Sequence, residues 1–183
     1  MKTIYENILE QAWAVGQGKR GDLSEELASD NCVARASNAV VELLRTILPA
    51  YAAACEERAG AGQDQIAEFF RFARDKALVK TAEIVHSVWL LGRVVNAEIA
   101  HRGEERSGVV SEASVGTLLL VAMSLAVKMN RDAGIGNGWW AKAVGMSGVV
   151  MANSERIFLK RVEYRLTMPR EDYALLYEQL VQE

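Results

Sequence analysis

The sequence predicts an all-α protein, a helical bundle of five core helices packed around one central apolar helix with an N-terminal helical extension. Three observations predict it. Proline is scarce, at 2 of 183 residues, while alanine, the least costly residue to place in a helix, recurs throughout. Apolar residues return at spacings of three and four along most of the chain, the period of a helix face rather than a strand. No two alternating segments joined by a tight turn, the mark of a β-hairpin, occur, and no internal repeat is present. The length fits one domain, or one domain with an extension.

The elements follow in order. Ile4, Tyr5, Ile8, Leu9, Ala12 and Trp13 share one face of a helix over residues 3–15, which Gly16, Gly18 and Gly21 end. Asp30 or Asn31 caps a second helix running to about Arg58, and Pro49 kinks or divides it. Gly60-Ala61-Gly62 is the clearest boundary in the first half. It separates an extension, residues 1–62, from the main domain, residues 63–183. A helix over Asp64 to Lys76 carries Ile66, Phe69, Phe70 and Ala73. The next, Thr81 to His101, has Thr81 as its candidate cap and a stripe of Ile84, Val88, Leu91 and Val95. Ser111 to about Met129 is apolar almost all round and belongs at the centre of the bundle. After the glycine-rich loop 134–138 come a short helix, Trp139 to Val144, and a helix over Gly148 to Tyr164 capped by Ser147. Pro169, Glu171 and Asp172 open a last helix toward Gln182, as proline and acids suit a first turn.

Composition narrows the function classes. The net charge is −3, which argues against a general affinity for nucleic acid phosphates. Cys32 and Cys55 show no metal-site spacing and suit reduced thiols, so the expected location is intracellular, in cytoplasm or nucleus. No stretch approaches the ~20 unbroken apolar residues of a membrane helix, and the first residues lack the pattern of a signal peptide. His86 and His101 have no ligand partners in sequence, and His86 reads as structural. The glycine-rich loop lacks the Gly-Lys-Ser/Thr ending and the preceding strand of a phosphate-binding loop, so it reads as a turn. No nucleophile–base arrangement or paired-carboxylate motif marks an enzyme, and no cofactor or metal is expected.

Several phrases carry a resemblance. They are Phe69-Phe70-Arg71-Phe72-Ala73, then Val85-His86-Ser87-Val88-Trp89-Leu90-Leu91-Gly92-Arg93, then Leu118 to Lys128. Two more follow: Asn137-Gly138-Trp139-Trp140-Ala141-Lys142-Ala143-Val144-Gly145-Met146-Ser147, and Ser154-Glu155-Arg156-Ile157-Phe158-Leu159-Lys160-Arg161-Val162-Glu163-Tyr164-Arg165-Leu166. In this order they resemble the cyclin box of the P/U-type cyclins, the phosphate-system group, over roughly residues 66–178. The last two phrases, at their distance from Lys128, are the most specific. Departures stand beside them. Gly116 and Thr117 replace the family's His-Arg pair, Met129 replaces a phenylalanine, and the Met-Arg-Ala-Ile-Leu phrase of cell-cycle cyclins is absent.

The resemblance implies a regulatory subunit without catalytic activity, which binds and activates a cyclin-dependent protein kinase by packing on its C-helix. It assigns Lys128 and Glu155 as the pair that bonds the kinase backbone. An ammonium carries three donors and a carboxylate only acceptors, so together they serve free carbonyls and N–H groups of a partner. Leu125, Met129, Phe158, Leu159 and Tyr164 are the expected apolar contacts. Phe158 and Leu159 cannot both be core, and one of them points to a partner. Read without the resemblance, Lys128 suits a solvated helix C-terminus and Glu155 a surface carboxylate. Trp139-Trp140 is either one buried and one half-buried ring or a recognition feature. Arg71, Arg74, Lys76 and Lys80 form a basic run, either a solvated face or a docking surface for an acidic or phosphorylated substrate of the kinase. A cyclin-like fold in a nucleic-acid-binding or transcription-associated protein is the competing class.

Overall fold

The computed structural model describes residues 27–62, 64–101 and 108–181. Within them lie eight α-helices and no strand: α1 (Asp30–Arg45), α2 (Pro49–Gly60), α3 (Gln65–Ala77), α4 (Thr81–Ala100), α5 (Val115–Asn130), α6 (Asn137–Ala143), α7 (Gly148–Arg161) and α8 (Arg170–Val181). A 3-10 turn, Glu112–Ser114, leads into α5. The all-α architecture is as the apolar spacing predicts. The expected helix over residues 3–15 lies outside the described residues.

Local chemistry fixes most helix starts. Ser29, not Asp30 or Asn31, caps α1: its Oγ accepts from the Cys32 N–H at 3.1 Å. Pro49 divides the expected second helix rather than kinking it. It occupies the first turn of α2, where a missing N–H costs nothing. The Asp64 carboxylate accepts from the N–H groups of Ile66 and Ala67 and also from the Ser37 hydroxyl, so it caps α3 and ties it to α1. Thr81 is not a cap; the Glu83 side chain accepts from the Lys80 N–H at 2.8 Å instead. Ser147 caps α7 through the Val150 N–H, as its position predicts.

Two helices, not one, make the centre. α5 is buried on every side from Leu118 to Val127, and α4 is equally buried from Thr81 to Gly92. They pack along each other, and α1, α7 and α8 lie against them. α1 also contacts α2, α3 and α8. Residues on both sides of the Gly60–Gly62 turn therefore share one core, to which Val33 and Val40 of α1 belong together with Phe70, Ile84, Leu90, Leu120, Met123 and Phe158. Removing a ring such as Phe70, fully buried, costs about 3–5 kcal/mol. The stretch Glu112–Asn130 is long and apolar enough by composition to cross a membrane, but its middle, Leu118 to Val127, is covered by the protein's own helices.

Of the tryptophan pair, Trp140 is fully buried and Trp139 is 38 % exposed, with the rings edge to face at 4.9 Å. Both cysteines are free and buried, and burial pushes the Cys32 thiol up to about 11, which keeps it protonated and unreactive.

Two ionic ties fasten the ends of α4. At its start, Glu83, 1 % exposed, receives Arg131 Nε at 2.5 Å and Nη2 at 2.7 Å. The same guanidinium donates to the carbonyls of Ala77 and Leu78 at 3.1 and 3.0 Å. One arginine thus satisfies the open end of α3 and joins it to α4 and α5. At its other end, Glu98 lies 3.4 Å from Arg161 of α7, both side chains buried, and also accepts from the Gly108 N–H.

Candidate functional site

Lys128 stands on the last turn of α5 and Glu155 near the middle of α7, and these two helices pack together. Their side chains meet: Lys128 Nζ donates to Glu155 Oε1 at 2.5 Å. The first residue of α6, Asn137, closes the group. Its Oδ1 accepts from Lys128 Nζ at 2.6 Å, and its Nδ2 donates to Glu155 Oε2. Ser124 Oγ, one turn below Lys128, donates to the same Asn137 Oδ1 at 3.4 Å. The ammonium therefore spends two of its three donors within the protein. The side chains of Lys128 and Glu155 are 31 % and 15 % exposed, so the pair is neither core nor free surface.

The loop before α6 passes against the lysine stem: a Cβ added to Gly134 would stand 3.4 Å from both Cα and Cγ of Lys128, at ordinary contact distance. The exit from α7 is also shaped. Glu163 and Tyr164 both take left-handed backbone angles, φ +54° and +58°. The Tyr164 N–H donates to the Leu159 carbonyl at 2.8 Å, closing the helix with a turn usually made by glycine. That conformation costs a non-glycine residue of order 1 kcal/mol and turns the Tyr164 side chain outward, 62 % exposed.

The apolar residues expected beside the pair divide. Met129 is 46 % exposed and Leu159 half-buried, so both remain at the surface with Tyr164. Leu125 and Phe158 do not: they are core residues, 3 % and 0 % exposed, and offer no contact to a partner. Phe158 falls with Met151 and Val162 on the α7 face turned to α5. Leu125 lies on a helix whose whole middle is enclosed.

The basic run is not one open patch. Arg71 and Lys76 are exposed, but Arg74 is held by Asp30 at 2.5 Å and Asp75 at 2.9 Å, and Lys80 is half-buried. His86 is structural: Nε2–H donates to the Leu166 carbonyl at 2.8 Å and Nδ1 accepts from Asn130 Nδ2 at 2.8 Å. Burial holds its pKa below the usual histidine value, partly offset by the Leu166 bond. Among the described residues no group of His, Cys, Asp and Glu is placed to hold a metal ion.

Asn137 is the site residue that sequence reasoning missed. It opens the phrase used for the resemblance, but a polar residue at a helix start after glycines signals only a turn. Its link to two charges 9 and 18 residues away follows from the packing of three helices.

The family model described as Cyclin matches residues 38–166, more than half of the chain. The protein belongs to the cyclin family. The match to the cyclin begins earlier than the sequence phrases suggest, inside α1, and stops at Leu166, before α8. The early start has a structural reason: Val40, Val41, Leu43 and Leu44 of α1 are buried in the same core as α3 and α4. No curated protein matches this cyclin. No solved structure matches it either.

Proposed function

We propose that this cyclin is a non-catalytic subunit that binds and activates a cyclin-dependent serine/threonine kinase, with the Lys128–Glu155 edge as its docking site. The observation that carries the reading is the placement of the pair. Two charges of opposite sign meet half-shielded, and Met129, Leu159 and Tyr164, on the same two helices or the turn that follows, keep part of their side chains exposed. Family membership supports the general role, since cyclins are in general regulators. The P/U-type assignment rests on the phrases from Asn137 and Ser154 onward.

The physics of activation is a population shift. A partner that covers the kinase C-helix only in its inward position stabilises the conformer in which the kinase's own Lys–Glu ion pair forms. Each shielded hydrogen bond from Lys128 or Glu155 to the kinase backbone contributes about 1.5–3 kcal/mol, and the flanking apolar groups supply the remainder. Two reduced, buried cysteines fit a working place in cytoplasm or nucleus.

The test is a charge swap. In the double variant Lys128→Glu with Glu155→Lys, the ion pair survives with reversed sense. The Asn137 amide can turn over to serve it, so the fold is kept. A kinase backbone, however, meets acceptors where it needs donors. Co-precipitation with a cyclin-dependent kinase of the same organism, and the kinase activity recovered, should be lost while the far-UV helix signal is unchanged. Undiminished binding by the double variant rules this edge out as the docking site.

A further inference from the structure

We propose that the outer face of α7 is a second docking surface, which takes an acidic amphipathic helix of another protein. Val149 is 72 % exposed, and Val144, Val150 and Ile157 are each close to half exposed. All four lie on α7 or in the turn that leads into it. Successive residues of a helix turn by about 100°, so Val150 and Ile157 share one flank of α7, within about 20° of each other. By the same geometry Glu155 and Leu159 occupy the opposite flank. Between the two flanks, turned away from the core that takes Met151, Phe158 and Val162, stand the exposed Val149, Ala152, Arg156 and Lys160.

Charge selects the occupant. Arg156 and Lys160 stand exposed in this face, and α6, packed on α7, adds exposed Lys142. Among the described residues none of the three is ion-paired, and Arg156 reaches only Asn153 Oδ1 at 3.3 Å. The acids near them in sequence are already engaged, Glu155 by Lys128 and Glu163 by Arg165. The chain as a whole carries −3, so the sign here opposes that of the molecule. Exposed apolar groups set among unanswered cations complement a helix whose apolar stripe is edged by Asp or Glu. The valine–isoleucine row spans two turns, about 10.5 Å, enough to seat such a stripe. The surface is open to a close approach, since a Cβ added at Gly148 would meet nothing within 4 Å. Other occupants fit less well. A second copy seated symmetrically would gather the Arg156 and Lys160 of both chains in one interface, and like charges there oppose association. Anionic lipid is held by clusters of about four to eight basic residues, more than stand here. Because Glu155 lies on the opposite flank, a protein bound at that edge leaves this face free for a further partner.

The experiment uses the whole chain and no kinase, so its outcome is independent of the function proposed above. The probe is a designed helical peptide of about four turns, with leucines at heptad a and d positions and glutamates at e and g. A control peptide carries lysines in place of the glutamates. Binding is followed by the amide chemical shifts of isotope-labelled protein. The expected result is a set of shifts over residues 149–160 on the outer face of α7, with the lysine peptide binding about tenfold more weakly. Arg156→Glu with Lys160→Glu should reverse the preference of the two peptides, with the far-UV helix signal unchanged. The Lys128→Glu, Glu155→Lys swap should leave the affinity for the glutamate peptide as it is. Equal affinity for the two peptides would overturn the proposal, as would shifts centred on the Lys128–Glu155 edge. Concentration-dependent shifts on α7 without peptide would assign the face to a second copy instead, and retention on anionic vesicles abolished by the Arg156, Lys160 variant would assign it to lipid.

Discussion

Arg131 grips Glu83 by both carboxylate oxygens, at 2.5 and 2.7 Å, although 48 residues separate them and they lie on the borders of different helices. The carboxylate is 1 % exposed and also receives the Lys80 N–H. Removing one partner leaves the other buried without compensation. Glu83→Ala should therefore lower the unfolding free energy by about 3–5 kcal/mol in urea titration. Glu83→Gln, which keeps the shape and one acceptor oxygen but sets an NH2 against the remaining donor, should lose less than Ala. Equal losses would mean that charge rather than shape holds this junction.

Asn137 makes a second prediction. Asn137→Ala deletes one acceptor and one donor from the Lys128–Glu155 group. With water able to replace part of what is lost, stability should fall by about 1–2 kcal/mol. Kinase association should fall as well, because the ammonium and carboxylate lose the group that orients them. A variant as stable as the parent would show that the ion pair holds itself in place.

Phe158 and Tyr164 separate fold from surface on one helix and its exit turn. Phe158→Ala should cost about 3–5 kcal/mol, since the ring is fully enclosed. Tyr164→Ala should change stability by no more than about 0.5 kcal/mol, since the ring is 62 % exposed, and should weaken binding of the kinase. Chemical denaturation of both variants, with a binding measurement on the second, checks the pair.

Acid should loosen the protein through His86. Its pKa is lowered in the folded state, from the ordinary 6.5, because burial disfavours the imidazolium. Below pH 6.5 the unfolded chain then binds more protons than the folded one at this site, so stability falls as pH drops through that value toward the folded pKa. The contribution is fully present above it. Protonated Nδ1 can no longer accept from Asn130. His86→Gln should flatten this part of the stability curve between about pH 7 and 5. A slope unchanged by the substitution would assign the dependence to other groups.

Much of the fold was legible because it rests on local chemistry. Asp64, Ser147 and Pro169 mark helix starts by side-chain type alone, and the enclosed middle of α5 shows in its unbroken apolar run. The equal burial of α4 was harder to see: Glu83, His86, Ser87 and Glu98 interrupt its apolar pattern, and burial is reconciled by the Ile84 carbonyl one turn back for Ser87 and by partners elsewhere for the other three. Leu125 and Phe158 show the limit at the candidate site. Neighbours along a helix point about 100° apart, so proximity in sequence to Lys128 or Glu155 does not place a side chain on their face. Asn137 and Arg131 escaped for the complementary reason, since their partners are assembled only by tertiary packing.

The buried Glu98–Arg161 contact at one pole of α4 and the Glu83–Arg131 contact at the other have a joint consequence. Each rivets a different helix to the same axle, one the outer α7 and the other the end of its central partner α5. Lys128 and Glu155 stand on the two helices so held, which fixes the edge they form before any encounter. A protein docking there would pay little ordering entropy on the cyclin side. Its tightness would be governed by how well its own surface conforms to an edge that does not yield.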